Sequence, residues 1–83
     1  MPDFTVMNAA PIRRNVMLNA VGQVLTYLGR DAPSMVELDT NGRYHWMVAD
    51  HWQNDTFSAF DGTQYECLHV KAMYDKPADD FPF

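Results

Sequence analysis

The apolar residues Val16, Met17, Ala20, Val21, Val24, Leu25 and Leu28 recur at three- and four-residue intervals. That spacing puts them along one side of an α-helix. Pro11 suits the first helical position, where its missing N–H costs nothing, so the pattern predicts a helix from Ile12 to Leu28. Gly29 fits the position just past the helix end, and Asp31-Ala32-Pro33 stops the helix from continuing. Gly22 falls inside the helix at a cost of about 1 kcal/mol relative to alanine, which predicts a close approach by the sheet. Ahead of it, Phe4 and Val6 alternate with polar neighbours, and residues 1–10 read as a short extended arm.

After Pro33 the period changes from helical to strand-like. The segment SMVELD leads into TNGR, where Asn41-Gly42 is a strong hairpin signal because both residues tolerate positive φ. RYHWMVA is the return strand, DHWQND a polar connection and TFSAF a third strand. Asp61-Gly62 reads as a second turn and TQYECLHVKAM as a fourth and longest strand. The predicted architecture is α+β, one N-terminal helix packed on a four-stranded antiparallel meander sheet. A two-residue Asn41-Gly42 loop pairs Leu38 with His45 and Val36 with Met47. One face then carries Val36, Leu38, His45 and Met47, and its apolar character selects it to meet the helix. The opposite face, with Met35, Glu37, Asp39, Tyr44, Trp46 and Val48, is left partly exposed.

Size and composition narrow the picture. The 83 residues, 47% hydrophobic and 13% aromatic, make one small folded domain rather than a disordered chain. The reading divides the chain into a compact domain over residues 1–75 and an acidic tail over 76–83, mobile unless Phe81 and Phe83 dock in a groove. Eleven acidic against six basic residues give a net charge of −5, which argues against direct nucleic-acid binding and suits a basic partner. Cys67 is the only cysteine, so no internal disulfide forms, and the expected compartment is the cytoplasm. The N-terminus has no secretory pattern and no apolar run is long enough for a membrane span.

Four kinds of chemistry compete for the polar residues. His45, His51, Cys67 and His69 offer ligand types that zinc prefers, but their spacing matches no specific metal motif, and no metal or other cofactor is expected. Glu37 and Asp39 share a strand face while Asp50, Asp55 and Asp61 gather near turns, where carboxylates are usually solvated. For nucleophilic catalysis the candidates are His45, Asp61 and Cys67.

The stretches NVMLNAVGQVLTYLGRD, APSMVEL and GRYHWMVADHWQNDTFSAFDG carry a partial resemblance, over about residues 12–63, to the papain-like C39-type peptidase fold. The resemblance implies a catalytic histidine at His45 and an orienting aspartate at Asp61. The family's nucleophilic cysteine belongs at the start of the helix, where Asn15, Val16 and Met17 stand instead. A reduced hydrolase relative that keeps a His45–Asp61 pair is thus an alternative reading, and a zinc-stabilised module a third.

Aromatic recognition is the leading expectation. Aromatic residues are numerous for so small a sheet, and tryptophan and tyrosine are favoured interface anchors. The sequence therefore points to a small acidic, non-catalytic protein-binding protein of inhibitor or adaptor type, as phages and other mobile elements carry. Glu37, Asp39, Tyr44, Trp46 and Trp52 would form its binding face. A free strand edge would also permit a homodimer.

Overall fold

The computed structural model describes the backbone of residues 2–76 and the side chains of residues 13–76. The predicted tail, with Phe81 and Phe83, lies outside the described residues apart from Lys76. The order of elements is α1 (Pro2–Leu28), β1 (Ser34–Leu38), β2 (Tyr44–Asp50), β3 (Asp55–Gly62) and α2 (Gln64–Asp75). The three strands form one antiparallel sheet in the order β1-β2-β3. The fold is thus α+β, with two helices and three strands in place of one helix and four strands.

Helix α1 buries the stripe Met17, Val21, Val24 and Leu28 and ends at Gly29, whose φ is +79° and whose N–H bonds the Leu25 carbonyl at 2.9 Å. It begins at Pro2, so the expected extended arm is helical. Pro11 therefore sits in the helix interior, where it has no N–H to give the carbonyl four residues back. The longer helix also moves Arg13 and Arg14 away from its N-terminal end. Gly22 makes no close approach to the sheet, because nothing lies within 4 Å of where its Cβ would stand.

The β1–β2 hairpin differs from the expected one by a single residue. Asp39 donates its N–H to the Arg43 carbonyl at 2.8 Å, and Gly42 donates to the Asp39 carbonyl at 3.2 Å. The loop is therefore the three residues Thr40-Asn41-Gly42, with Gly42 alone at positive φ (+83°). The Asp39 side chain selects this loop over the two-residue form, because its Oδ1 accepts from the N–H groups of Asn41 (2.8 Å) and Arg43 (2.9 Å). Leu38 now pairs with Tyr44, Val36 with Trp46 and Glu37 with His45. Since side chains alternate, the one-residue shift exchanges the faces of β2. Trp46 and Val48 turn inward and are fully buried, while His45 and Met47 turn outward.

The predicted fourth strand is helix α2. Thr63 and Glu66 form a capping box: the Thr63 hydroxyl accepts from the Glu66 N–H, and the Glu66 carboxylate accepts from the Thr63 N–H, both at 3.1 Å. Cys67, Val70 and Tyr74 then repeat at helical spacing and are buried. The β-favouring Tyr65, Cys67 and Val70 imitate a strand, but the cap and the spacing decide otherwise. Gly62 leaves room for the cap, since a Cβ there would collide with the Glu66 carboxylate.

Both helices cover one face of the sheet. Their core contains Trp46, Val48 and Phe60 from the strands, Met17, Val21 and Val24 from α1, and Cys67, Val70, Met73 and Tyr74 from α2. Trp46 and Tyr74 meet with ring centroids 5.4 Å apart and planes tilted by 59°. Arg13 joins the parts at the rim. It donates to the Asp61 carbonyl at 2.8 Å, lies 3.3 Å from the Glu66 carboxylate and sits 5.1 Å over the Phe60 ring. No helix among the described residues is long and apolar enough to cross a membrane.

Candidate functional site

With both helices on one side, no element among the described residues covers the second face of the sheet, its open face. Met35 and Glu37 of β1, His45 and Met47 of β2, and Ser58 and Asp61 of β3 share it, as their pairing register requires. Met35 is 52% exposed, and Glu37 and Ser58 are also exposed.

His45 is the centre of this face. Its Nε2 lies 2.7 Å from Asp39 Oδ2 and its Nδ1 lies 2.9 Å from Ser58 Oγ. The directly paired residues across the sheet are Glu37 and Asp61, so both bonds run to diagonal neighbours. The diagonal to β3 is shortened by a bulge. Trp46 pairs with Phe60 and Met47 with Ser58, leaving Ala59 as the extra residue.

Asp39 is a fixed anion. The His45 ring, helped by the Arg43 and Asn41 N–H groups against the opposing effect of burial, holds its carboxyl down to about 2. This depression lies below the ordinary aspartate value of about 3.9. The resulting stabilisation is therefore complete above that value and lost as pH falls through about 2. In acid unfolding, Asp39→Asn should be less stable than wild type at pH 6, with the difference shrinking between pH 4 and pH 2. A constant difference across that window would contradict the assignment.

Asp61 is also held below the ordinary range, chiefly by the Arg43 guanidinium, whose Nε lies 2.8 Å from its Oδ2. At the far end of the sheet, burial opposes ionisation of Asp50. The Tyr27 hydroxyl and the N–H groups of Gln53 and Trp52 outweigh it and keep the carboxyl low. Trp52 is 67% exposed there, beside His51.

These positions separate the residues expected to act together. Of the expected binding set, Glu37 and Asp39 border the open face, and Trp52 stands exposed at the β2–β3 turn. Tyr44 packs half-buried against the core, and Trp46 has no exposed surface at all. The face is therefore methionine-rich and acidic rather than aromatic. His45 bonds Asp39 and Ser58, while the Asp61 carboxylate is taken by Arg43.

Cys67 is fully buried on the helix side of the sheet, and its thiol is pushed up by burial. His69 lies exposed on α2, stacked on Tyr65, and His51 lies at the β2–β3 turn. His45, His51, Cys67 and His69 do not converge, and the described residues contain no group of three or more His, Cys, Asp or Glu placed to hold a metal ion.

Ser58 is the residue that sequence reasoning missed. Nothing in the hydrophobic pattern distinguishes it, because its approach to His45 depends on the three-residue loop and the Ala59 bulge. Beyond Ser58 a groove of about 670 Å³ opens between α1 and β3, floored by Ala20, Val24, Phe57 and Ala59 and flanked by Asn19, Gln23 and Tyr27. Comparison of the chain with protein-family models, curated proteins and solved structures finds no match.

Proposed function

We propose that this protein works by binding another protein through the open face of its sheet, as a small inhibitor or adaptor does. The observation that carries the reading is that face itself: Met35, half exposed on the edge strand β1, stands beside Met47 with Glu37, Asp39 and Asp61 on the same face. Methionine adapts to irregular partner surfaces, and carboxylates around an apolar centre favour a partner with lysine or arginine at the contact. The net charge of −5 adds long-range attraction to a basic surface.

The alternative of a reduced papain-like relative with a His45–Asp61 pair gains no support from the side-chain geometry, since each of the two residues is bonded elsewhere.

The test is affinity capture from the native host with wild type and with the double variant Met35→Lys/Glu37→Lys, both verified as folded. These side chains point away from the core, so the fold tolerates the change. The expected result is a stoichiometric partner whose binding weakens with salt and falls at least about tenfold in the variant, consistent with loss of an interface anchor. Equal binding by both proteins would overturn this reading of the face.

A further inference from the structure

We propose that Ser58, His45 and Asp39 form an acyl-transfer site on the open face of the sheet, with Ser58 Oγ as nucleophile and a neutral ester as substrate class. The inference stands apart from the binding function and rests on three observations. The first is an unbroken chain of hydrogen bonds, 2.9 Å from Ser58 Oγ to His45 Nδ1 and 2.7 Å from His45 Nε2 to Asp39 Oδ2. Nucleophile, base and orienting carboxylate are thus within the bonding reach such chemistry requires.

The second observation is that the proton positions follow from the partners. Asp39 can only accept, so neutral His45 carries its hydrogen on Nε2 and presents the Nδ1 lone pair to Ser58. The Ser58 hydroxyl has one other acceptor, the Phe60 carbonyl at 3.4 Å, beyond the usual O–H···O range of about 2.5–3.0 Å. Its hydrogen therefore goes to His45. The ring is used in the opposite sense to the serine-protease arrangement, in which serine meets Nε2 and aspartate Nδ1. The chemistry is unchanged, because either ring nitrogen accepts a proton once the other is fixed as a donor.

Third, the nucleophile is accessible and stands on the same face as an apolar surface. Ser58 is exposed on the open face and pairs across the sheet with Met47, which pairs in turn with Met35. The two methionines suit an uncharged acyl group, and the neighbouring Glu37 and Asp61 carboxylates disfavour an anionic one. Asp39 acts as a positioning residue, held in turn by two backbone N–H groups of its own loop.

In the acylation step Ser58 Oγ bonds to the ester carbonyl carbon and its proton passes to His45 Nδ1. The bond from that carbon to the leaving oxygen then breaks, and His45 returns the proton to the departing alcohol. Water, activated by the same nitrogen, releases the acid and restores Ser58.

The experiment uses the full chain and p-nitrophenyl acetate, followed by nitrophenolate release and intact-mass and peptide mapping. The expected product is one acetyl group on Ser58. His45→Gln should slow acetylation about 100-fold, the lower end for loss of a general base. Asp39→Asn should change the pH profile of acetylation, which a purely structural role would leave in place. Ser58→Ala should give no acetylation at this segment, and mapping of wild type identifies the site even if that variant does not fold. Acetylation only at lysines or the N-terminus, or an unchanged rate in folded His45→Gln, would overturn the proposal. Neither result bears on partner capture, which is read with different variants.

Discussion

Trp46→Ala should leave the domain largely unfolded at moderate temperature. The indole has no exposed surface, and it packs against Tyr74 in the layer where the sheet meets both helices. Truncating a buried tryptophan costs about 3–5 kcal/mol, because the lost transfer energy is joined by a cavity that the surroundings fill incompletely. A small domain holds only about 0.05–0.15 kcal/mol of stability per residue, so one such loss is a large fraction of the total. The melting temperature should fall by roughly 12–40 °C, given about 4–8 °C per kcal/mol at this size.

Trp46→Phe should fall between wild type and Trp46→Ala. Phenylalanine restores much of the ring, and it removes an indole N–H that is buried without a hydrogen-bond partner. Thermal unfolding followed by circular dichroism checks the order. A Trp46→Ala midpoint within a few degrees of wild type would show that this residue does not organise the core.

Tyr74→Phe is the second large effect, and its mechanism is different. The Tyr74 hydroxyl donates to the Gly29 carbonyl at 2.7 Å and accepts from the Ala32 N–H at 2.9 Å. It ties the end of α2 to the connection between α1 and β1. Removing the oxygen leaves the ring in place and a buried N–H without an acceptor, at a cost of about 1–3 kcal/mol. The midpoint should drop by roughly 4–24 °C. Amide exchange should rise at Ala32 in particular, because that hydrogen loses its acceptor. Unchanged exchange there would mean that the bond contributes little. Burial raises the Tyr74 hydroxyl above its ordinary range, so it remains neutral and keeps its proton for Gly29.

Much of this architecture was legible in the chain because it depends on local spacing. The α1 core stripe, the glycine at its end, the first hairpin and the antiparallel connection of the strands all rest on patterns spanning a few residues. The errors arose where two local rules compete. Asn41-Gly42 favours a two-residue loop, but the Asp39 carboxylate stabilises a three-residue one, and that single residue decides which face of β2 is buried. Tyr65, Cys67 and Val70 suit a strand, but Thr63 and Glu66 cap a helix; the Thr-x-x-Glu spacing was the available signal. Pro11 reads as a start where the helix continues through it.

At the site, His45 and Asp39 stood out as residue types. Their bond could not be foreseen, because the expected register turned His45 toward the core. Ser58 needed still more, since its position follows from a bulge that no short pattern marks.

The order in which these contacts form follows from the sheet's connectivity. Each strand pairs with its neighbour in sequence, through the three-residue loop at Gly42 and the turn at residues 51–54. Closing loops this short costs little chain entropy, and hairpins form on a timescale of about 1–10 μs. The bonds that Arg13 and Tyr74 make to distant parts of the chain span 42 to 48 residues, so they close far larger loops. Contacts so distant in sequence slow folding more than the hairpin pairings do, so the folding rate is expected to be more sensitive to the Arg13 and Tyr74 contacts than to the strand pairings.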